Sequence, residues 1–170
     1  MDLKSLVRDV PDFPKKGIMF KDITPLLADR KALEEVMAEM AAPFKNERVD
    51  MVVGIESRGF LFGPSVANIL GCGFAPVRKP GKLPYQTHGV SYDLEYGQDT
   101  LEIHIDAHQP KDRILVVDDL LATGGTAAAA ARLIEKVGGE VVGFSFVIEL
   151  GFLKGRSLLG NHKVNALISY

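Results

Sequence analysis

Short apolar runs alternate with amphipathic stretches along most of the chain, and these two patterns predict strands and helices in turn. The apolar runs predict strands at residues 49–55, 74–77, 114–117, 140–148 and 164–168. The amphipathic stretches predict helices at residues 30–42, between the turn at 56–59 and residue 70, and at 123–137. Asp29 is suited to cap the first of these helices, and Pro43 marks its end. Strands that alternate with helices predict an α/β fold with a mainly parallel central sheet flanked by helices.

Two segments between the second and third apolar runs depart from this alternation. Residues 79–89 are rich in proline, glycine and lysine, which predicts a mobile loop. Around Gly97 the pattern changes to a period of two, which predicts a β-hairpin. The alternating apolar positions are Tyr92, Leu94 and Tyr96 before the turn, and Leu101, Ile103 and Ile105 after it.

Size and charge exclude several classes of protein. A chain of 170 residues predicts one domain, and a formal charge of −2 predicts no general attraction to nucleic acid or to anionic membranes. No stretch approaches 18 apolar residues, so we expect no membrane span. The single cysteine, Cys72, excludes an internal disulfide, and the four histidines lack metal-ligand spacing. With no signal-peptide pattern at the start, the expected location is the cytoplasm.

The segment with the clearest chemistry is residues 114–126, which read ILVVDDLLATGGT. An apolar strand runs into two acids, and a turn of small residues then opens a helix. Free amides at the start of a helix and the helix dipole both favour an anion such as a phosphate. Asp118 and Asp119 are placed to bind sugar hydroxyls of the same ligand, so the segment predicts a site for a ribose phosphate. The predicted phosphate-binding residues are Ala122, Thr123, Gly124, Gly125 and Thr126.

Other interpretations of this segment fit less well. The chain contains neither a G-x-x-x-x-G-K-[ST] loop nor a G-x-G-x-x-G turn. A strand–helix turn that uses glycine only for close packing remains an alternative, but it does not account for two adjacent acids at the end of a buried strand. All thirteen positions resemble the phosphoribosyl pyrophosphate motif of type I phosphoribosyltransferases. That resemblance implies their α/β fold in one domain of residues 1–170, with a small N-terminal hood at 1–28 and a flexible catalytic loop at 79–98.

Residues 56–63, which read ESRGFLFG, resemble the diphosphate loop of adenine phosphoribosyltransferases. The resemblance implies that Glu56, Ser57 and Arg58 bind diphosphate, and that the Glu56–Ser57 peptide bond is cis. Arg58 carries a planar, permanently charged group that suits phosphate oxygens. The alternative is a surface arginine paired with an acid.

Residues 78–84, which read RKPGKLP, resemble the start of the flexible catalytic loop in the same family. The resemblance implies that Arg78, Lys79 and Lys82 bind diphosphate, Arg78 that of a neighbouring subunit, which implies a homodimer. A solvated basic loop is the alternative. Residues 91–97 resemble the far end of that loop, where Glu95 matches the family's general acid. Its alternative is an exposed strand acid.

Residues 13–25 resemble the segment that faces adenine in this family. The resemblance implies that Phe20 stacks on the purine and that backbone groups of Met19 and Lys21 read its 6-amino edge. Residue types alone predict only a Pro/Gly-rich N-terminal arm here.

The resemblance as a whole implies a pentosyltransferase of purine salvage that converts adenine and 5-phosphoribosyl 1-diphosphate to AMP and diphosphate. It implies Mg²⁺ held mainly by substrate oxygens, with no metal ligand taken directly from the protein. Because ligands bind beyond the carboxyl ends of parallel strands, the Glu56 turn, the Lys79 loop and the Asp118 motif are expected to converge. Two rivals remain: an enzyme for hypoxanthine, guanine or xanthine, and a ligand-sensing regulator that binds nucleic acid.

Overall fold

The computed structural model describes residues 1–94 and 97–170, so Glu95 and Tyr96 lie outside the described residues. The strands are β1 Arg8–Pro11, β2 Met19–Asp22, β3 Met51–Ile55, β4 Gly73–Val77, β5 Thr87–Asp93, β6 Gln98–His104, β7 Arg113–Leu121, β8 Glu140–Glu149 and β9 Lys163–Ser169. The helices are α1 Thr24–Ala28, α2 Arg30–Ala41, α3 Gly63–Leu70 and α4 Gly125–Lys136. None of these helices combines the length and the apolar character that crossing a membrane requires.

A parallel sheet of five strands in the order β4-β3-β7-β8-β9 forms the centre of the fold. One face packs against α4 and the β5–β6 hairpin, and the other packs against α1, α2 and α3. Strands β3 and β7 are covered on both faces, which is why their sequences are almost continuously apolar. The expected α/β sheet flanked by helices is confirmed.

The predicted helix ends rest on local chemistry that the structure confirms. The Asp29 carboxylate accepts a hydrogen bond of 2.9 Å from the Ala32 amide and caps α2. Pro64 lies in the first turn of α3, where a missing amide hydrogen costs little. Gly71 ends that helix with a φ of 72°, a left-handed conformation that glycine adopts without strain.

Strand β7 extends beyond the predicted range of 114–117 and ends at Leu121. It continues because it stays paired with β8, Leu120 opposite Ile148 and Leu121 opposite Glu149. Asp118 and Asp119 therefore lie within a strand rather than after it, and α4 begins at Gly125 instead of residue 123. The pairing with β8 holds the two acids in fixed positions.

The predicted hairpin around Gly97 is present, but its first strand begins inside the segment predicted as a loop. Strand β5 starts at Thr87, which pairs with His104, so the loop prediction for residues 87–89 is wrong. Tyr92 is buried beside α4, whereas Leu94 lies beyond the strand and is 47% exposed. Sequence pattern also missed the antiparallel β1–β2 ribbon, whose residues are exposed or half-buried and carry no apolar period.

Candidate active site

A cavity of about 380 Å³ opens beyond the carboxyl ends of β3 and β7. Its walls come from residues 56–58, Lys79 and residues 118–127. These are the three segments that were expected to converge, and the parallel order of β4, β3 and β7 brings them to one edge of the sheet. Polar and charged groups from separate parts of the chain thus face one space.

Residues 122–126 form the floor of this cavity at the start of α4. Gly124 has a φ of 88° and reverses the chain, so that the helix can begin at Gly125. The first four amides of an α-helix have no partner within the helix, and they carry the positive end of its dipole. The hydroxyl of Thr126 lies beside them on the cavity wall. This floor is suited to hold a phosphate group.

The two acids lie next to this floor in different electrostatic surroundings. Asp119 is almost fully buried, and its Oδ2 lies 2.5 Å from Nε of Arg58. Asp118 accepts a 2.9 Å hydrogen bond from the Asp119 amide. Burial, and then the negative charge of Asp119, raise the pKa of Asp118 well above its usual range. A ligand that offers hydroxyl donors or a cation would relieve this unfavourable setting.

Gly59 allows the turn after β3 to approach these acids. A Cβ at this position would lie 2.9 Å from the Val117 carbonyl oxygen and 3.0 Å from Oδ1 of Asp118. Any side chain would push the Glu56–Gly59 turn away from β7. The Glu56–Ser57 peptide bond in this turn is cis, as the family resemblance implied.

Arg58 connects the acids with an aromatic surface on the N-terminal ribbon. Its guanidinium carbon lies 5.2 Å from the centre of the Phe20 ring, within range of a cation–π interaction. Phe20 packs edge to face on Phe13 at 5.0 Å, and a second cavity of about 250 Å³ lies here. That cavity is lined by Val10, Phe13, Phe20 and Asp22. Across the site there is therefore a fixed order: the phosphate floor, the two acids, the guanidinium of Arg58 and the ring of Phe20.

Met19 and Lys21 are the other two residues predicted to contact the base. Met19 is 50% exposed, and Nζ of Lys21 lies 2.6 Å from Asp9 and 3.8 Å above the Tyr170 ring centre. Neither residue lines the second cavity. Both lie on β2 two positions apart, so their backbone groups share one edge of the ribbon.

Lys79 lies where the hairpin meets the phosphate floor. Its ammonium group contacts the Asp99 carboxylate and donates to the Tyr92 hydroxyl at 3.5 Å. Burial lowers the pKa of Lys79, but the contacts with Asp99 and Tyr92 outweigh this and raise it overall. The Tyr92 hydroxyl also lies 3.3 Å from Oγ1 of Thr126. The hairpin is thereby linked to the cavity floor.

The remaining predicted cations do not line the cavity. Nε of Arg78 lies 3.2 Å from the Glu56 carboxylate, which also accepts a 2.9 Å hydrogen bond from the Lys79 amide. Lys82 is exposed in the loop before β5. Within residues 1–94 and 97–170, no group of three or more His, Cys, Asp or Glu side chains is arranged to hold a metal ion.

Comparison with known proteins gives the family. A model of the phosphoribosyl transferase domain matches residues 22–157. The adenine phosphoribosyltransferase of Clostridium perfringens is 58% identical over 170 residues, covering 100% of this chain and 99% of that protein. The chain belongs to the adenine phosphoribosyltransferase family. An adenine phosphoribosyltransferase of Anaeromyxobacter dehalogenans is 56% identical over 168 residues, which cover 99% of this chain and 98% of the relative.

Solved structures of adenine phosphoribosyltransferases have the same fold. The enzyme of Rhodothermus marinus superposes with a TM-score of 0.95 at 53% identity, covering 99% of this chain and 96% of the other. The Saccharomyces cerevisiae enzyme, in complex with adenine and an imino-altritol bisphosphate, gives 0.91 at 42% identity, covering 98% and 96%. The expected type I phosphoribosyltransferase fold is thus confirmed.

Several residues of this phosphoribosyltransferase site were not found by sequence reasoning. The hairpin pattern predicts Tyr92 only as an apolar position and predicts no role for Asp99. Phe13 and Asp22, which line the second cavity, lie inside the segment 13–25, in which only Met19, Phe20 and Lys21 are predicted to contact the base. The signal for Asp99 was available, because a hairpin with Tyr92 facing α4 also turns Asp99, its cross-strand partner, toward the same side.

Proposed function

We propose that this chain catalyses the adenine phosphoribosyltransferase reaction of purine salvage: adenine and 5-phosphoribosyl 1-diphosphate give AMP and diphosphate. The observation that supports it is the order of groups across the site. A phosphate floor, two acids, a guanidinium and an aromatic ring follow the order of phosphate, ribose, anomeric carbon and base in AMP. The full-length similarity to enzymes of this name supports the same reaction. The alternative function, a ligand-sensing regulator that binds nucleic acid, has no comparable support.

The phosphate and the sugar are assigned to the rigid part of the site. Amides and hydroxyls of residues 122–126 hold the 5′-phosphate, where the helix dipole favours negative charge. Asp118 and Asp119 bind the ribose hydroxyls. As the bond to diphosphate breaks, their negative charge stabilises the positive charge that develops on the ring. Exclusion of water from this cavity protects the activated sugar from hydrolysis.

The leaving diphosphate is assigned to the cations at the cavity mouth. Arg58 and Lys79 supply positive charge, and the turn of Glu56 and Ser57 places backbone and side-chain groups beside them. Arg78 and Lys82 complete the set from outside the cavity, Arg78 by reaching the site of a second subunit. We therefore also propose a homodimer, which equilibrium sedimentation tests.

Adenine is assigned to the ribbon side of the site. Phe20 stacks on the purine, and backbone groups of Met19 and Lys21 bind its 6-amino edge. A backbone carbonyl accepts a hydrogen bond from an amino group and repels an oxo group, so adenine is favoured over hypoxanthine. Glu95 accepts the N7 proton when N9 attacks the sugar, and returns it in the reverse reaction.

Mg²⁺ fits the donor groups of the cavity. Mg²⁺ prefers oxygen ligands and uses one or two carboxylates together with substrate phosphates. Asp118 and Asp119 are two adjacent carboxylates. Burial, and then the charge of Asp119, raise the pKa of Asp118, and a cation nearby would offset both effects. Substrate oxygens would hold most of the ion, with these carboxylates beside it. When bound, Mg²⁺ neutralises the charge that grows on the diphosphate.

A competition assay with adenine, hypoxanthine, guanine and xanthine tests the reaction and the base together. Purified protein, phosphoribosyl pyrophosphate and Mg²⁺ should give AMP from adenine, with little product from the oxo purines. Comparable turnover of hypoxanthine would contradict the adenine assignment. The expected setting for this salvage reaction is the cytoplasm, in keeping with the single cysteine.

A further inference from the structure

A segment that the mechanism does not use lies directly against the phosphate floor. We call residues 151–159, which follow β8, the supporting segment. A Cβ on Gly155 would clash with the Ala122 carbonyl oxygen and would lie 3.1 Å from the Gly124 amide nitrogen. A Cβ on Gly124 would in turn clash with the Gly155 carbonyl oxygen. The two backbones touch because neither residue carries a side chain.

The two glycines are needed for different reasons. Gly124 has a positive φ, so its backbone conformation alone favours glycine. Gly155 is not among the glycines with positive φ, so alanine could adopt its conformation. What excludes alanine at 155 is the floor itself. Glycine is therefore required at position 155 because the loop of residues 122–126 lies so close, and not because of the backbone conformation of residue 155 itself.

An ion pair fixes the supporting segment to the sheet. Arg156 donates to both oxygens of Glu149, from Nε and from Nη2, each at 2.7 Å. Its third contact is a 2.9 Å hydrogen bond from Nη1 to the Val164 carbonyl on β9. Glu149 is only 7% exposed, so the carboxylate of this two-bond pair is shielded from water, while the Arg156 side chain is 47% exposed. Arg156 is thus held by Glu149 at the end of β8 and by Val164 near the start of β9, and it holds its neighbour Gly155 in place.

Leu150, just before the supporting segment, joins it to the strand that carries the two acids, because its amide donates to the Leu121 carbonyl at 2.9 Å. Gly151, the first residue of the segment, donates from its amide to the carbonyl of Tyr170, the residue after β9, at 2.9 Å. Leu159, at the far end, is buried in the core. The support below the floor is therefore anchored at both of its ends.

We propose that Gly155 is a positioning residue for the phosphate site, and that the Glu149–Arg156 pair holds it against the loop of residues 122–126. The proposal rests on the assignment of that loop to the 5′-phosphate. A methyl group at 155 displaces the backbone of Ala122 and Gly124, and the amides then no longer point at one phosphate. The base and sugar contacts come from other segments and stay in place.

The test compares AMP with adenosine, which lacks only the phosphate. Calorimetric titration of the full-length protein with each ligand gives the ratio of the two affinities. Gly155→Ala is expected to lower this ratio at least tenfold, about the effect of losing one or two charge-assisted hydrogen bonds. Adenosine binding should stay within about twofold. Gly151→Ala is the matched control, because its Cβ would approach only the Tyr170 carbonyl oxygen, at 3.3 Å.

A second pair of variants keeps the proposal testable if Gly155→Ala does not fold. Glu149→Gln preserves shape but removes the charge that holds Arg156, and it should lower the AMP-to-adenosine ratio about three- to tenfold. Glu140→Gln, at the other end of β8, is its control and should leave the ratio unchanged. An unchanged ratio in Glu149→Gln, or equal losses in variant and control, would overturn the proposal.

Thr126→Val separates this proposal from the assigned role of the loop. If Thr126→Val, Gly155→Ala and Glu149→Gln all leave the ratio unchanged, the loop does not bind the phosphate and both ideas fail. If Thr126→Val lowers the ratio while Gly155→Ala and Glu149→Gln do not, the phosphate site stands and only the positioning role is wrong. A fall in all three variants, with both controls unchanged, is the expected result.

Discussion

The phosphate half and the base half of this site are built in different ways. The phosphate floor and the two acids lie on β7, a central strand covered on both faces, and at the start of α4. The base half lies on the two-stranded β1–β2 ribbon and the connection between its strands, where Phe13 is 50% exposed. A group on a central strand is held by many neighbours, whereas a group on a ribbon is held by few. Under the proposed assignments, the sugar phosphate would therefore be bound by a rigid scaffold and adenine by a few local contacts.

The largest effect is expected at the two acids of the phosphate half, which would lie beside the anomeric carbon. Replacing both acids, in Asp118→Asn with Asp119→Asn, should lower kcat/KM at least 10²-fold, because a positioned electrostatic stabiliser is lost. Steady-state kinetics with adenine and phosphoribosyl pyrophosphate measures it. Near-normal turnover would remove the acids from the mechanism.

The stability of the free protein should respond to Asp118 in the opposite direction. Because its pKa is raised in the folded state, the folded form holds this proton more tightly than the unfolded chain does. Stability due to Asp118 is therefore lost as the pH rises from the ordinary aspartate range through the raised value. Asp118→Asn should flatten this loss and raise Tm at neutral pH. Thermal unfolding of both proteins across that range checks it, and a lower Tm for the variant would show that the ionised carboxylate stabilises the fold.

Glu95 tests whether proton transfer on the base side is separate from binding. Glu95→Gln should lower kcat about 10²-fold, the usual contribution of a positioned acid or base, and change the KM for adenine much less. A variant in which only KM changes would refute the proton-transfer role. Asp93→Asn, which changes an acid two residues earlier at the end of β5, is the control.

Lys79 tests the contact between the β5–β6 hairpin and the phosphate half. Lys79→Gln should raise the KM for phosphoribosyl pyrophosphate about tenfold, because one charged contact to the diphosphate is lost. The KM for adenine should change little. Lys45→Gln serves as the control, since Lys45 follows α2 away from the cavity. Equal effects on both substrates would mean that Lys79 acts through the fold and not on diphosphate.

The smallest effect is expected from the ribbon. Phe20→Leu keeps apolar bulk but loses the flat ring, so the KM for adenine should rise about two- to tenfold. The KM for phosphoribosyl pyrophosphate should stay unchanged, since the ribbon does not shape the phosphate floor. A change in both constants would mean that the ribbon and the rigid half are coupled, which would break the contrast between them.

The same contrast explains which features could be predicted from the sequence. The sheet, its flanking helices and the motif at 114–126 depend on buried runs and local caps, which are visible along the chain. The ribbon could not be predicted, because exposed four-residue strands have no apolar period. Gly155 and Asp99 were missed because their roles depend on contacts with segments distant in sequence. The base-side residues were found only through family resemblance.

A crystal structure with AMP bound would show at once whether the proposed sites are used. We expect the 5′-phosphate within hydrogen-bonding distance of the amides of residues 123–126, and the ribose hydroxyls on Asp118 and Asp119. The purine should lie against Phe20. AMP bound elsewhere, or bound with its phosphate away from the start of α4, would contradict the account.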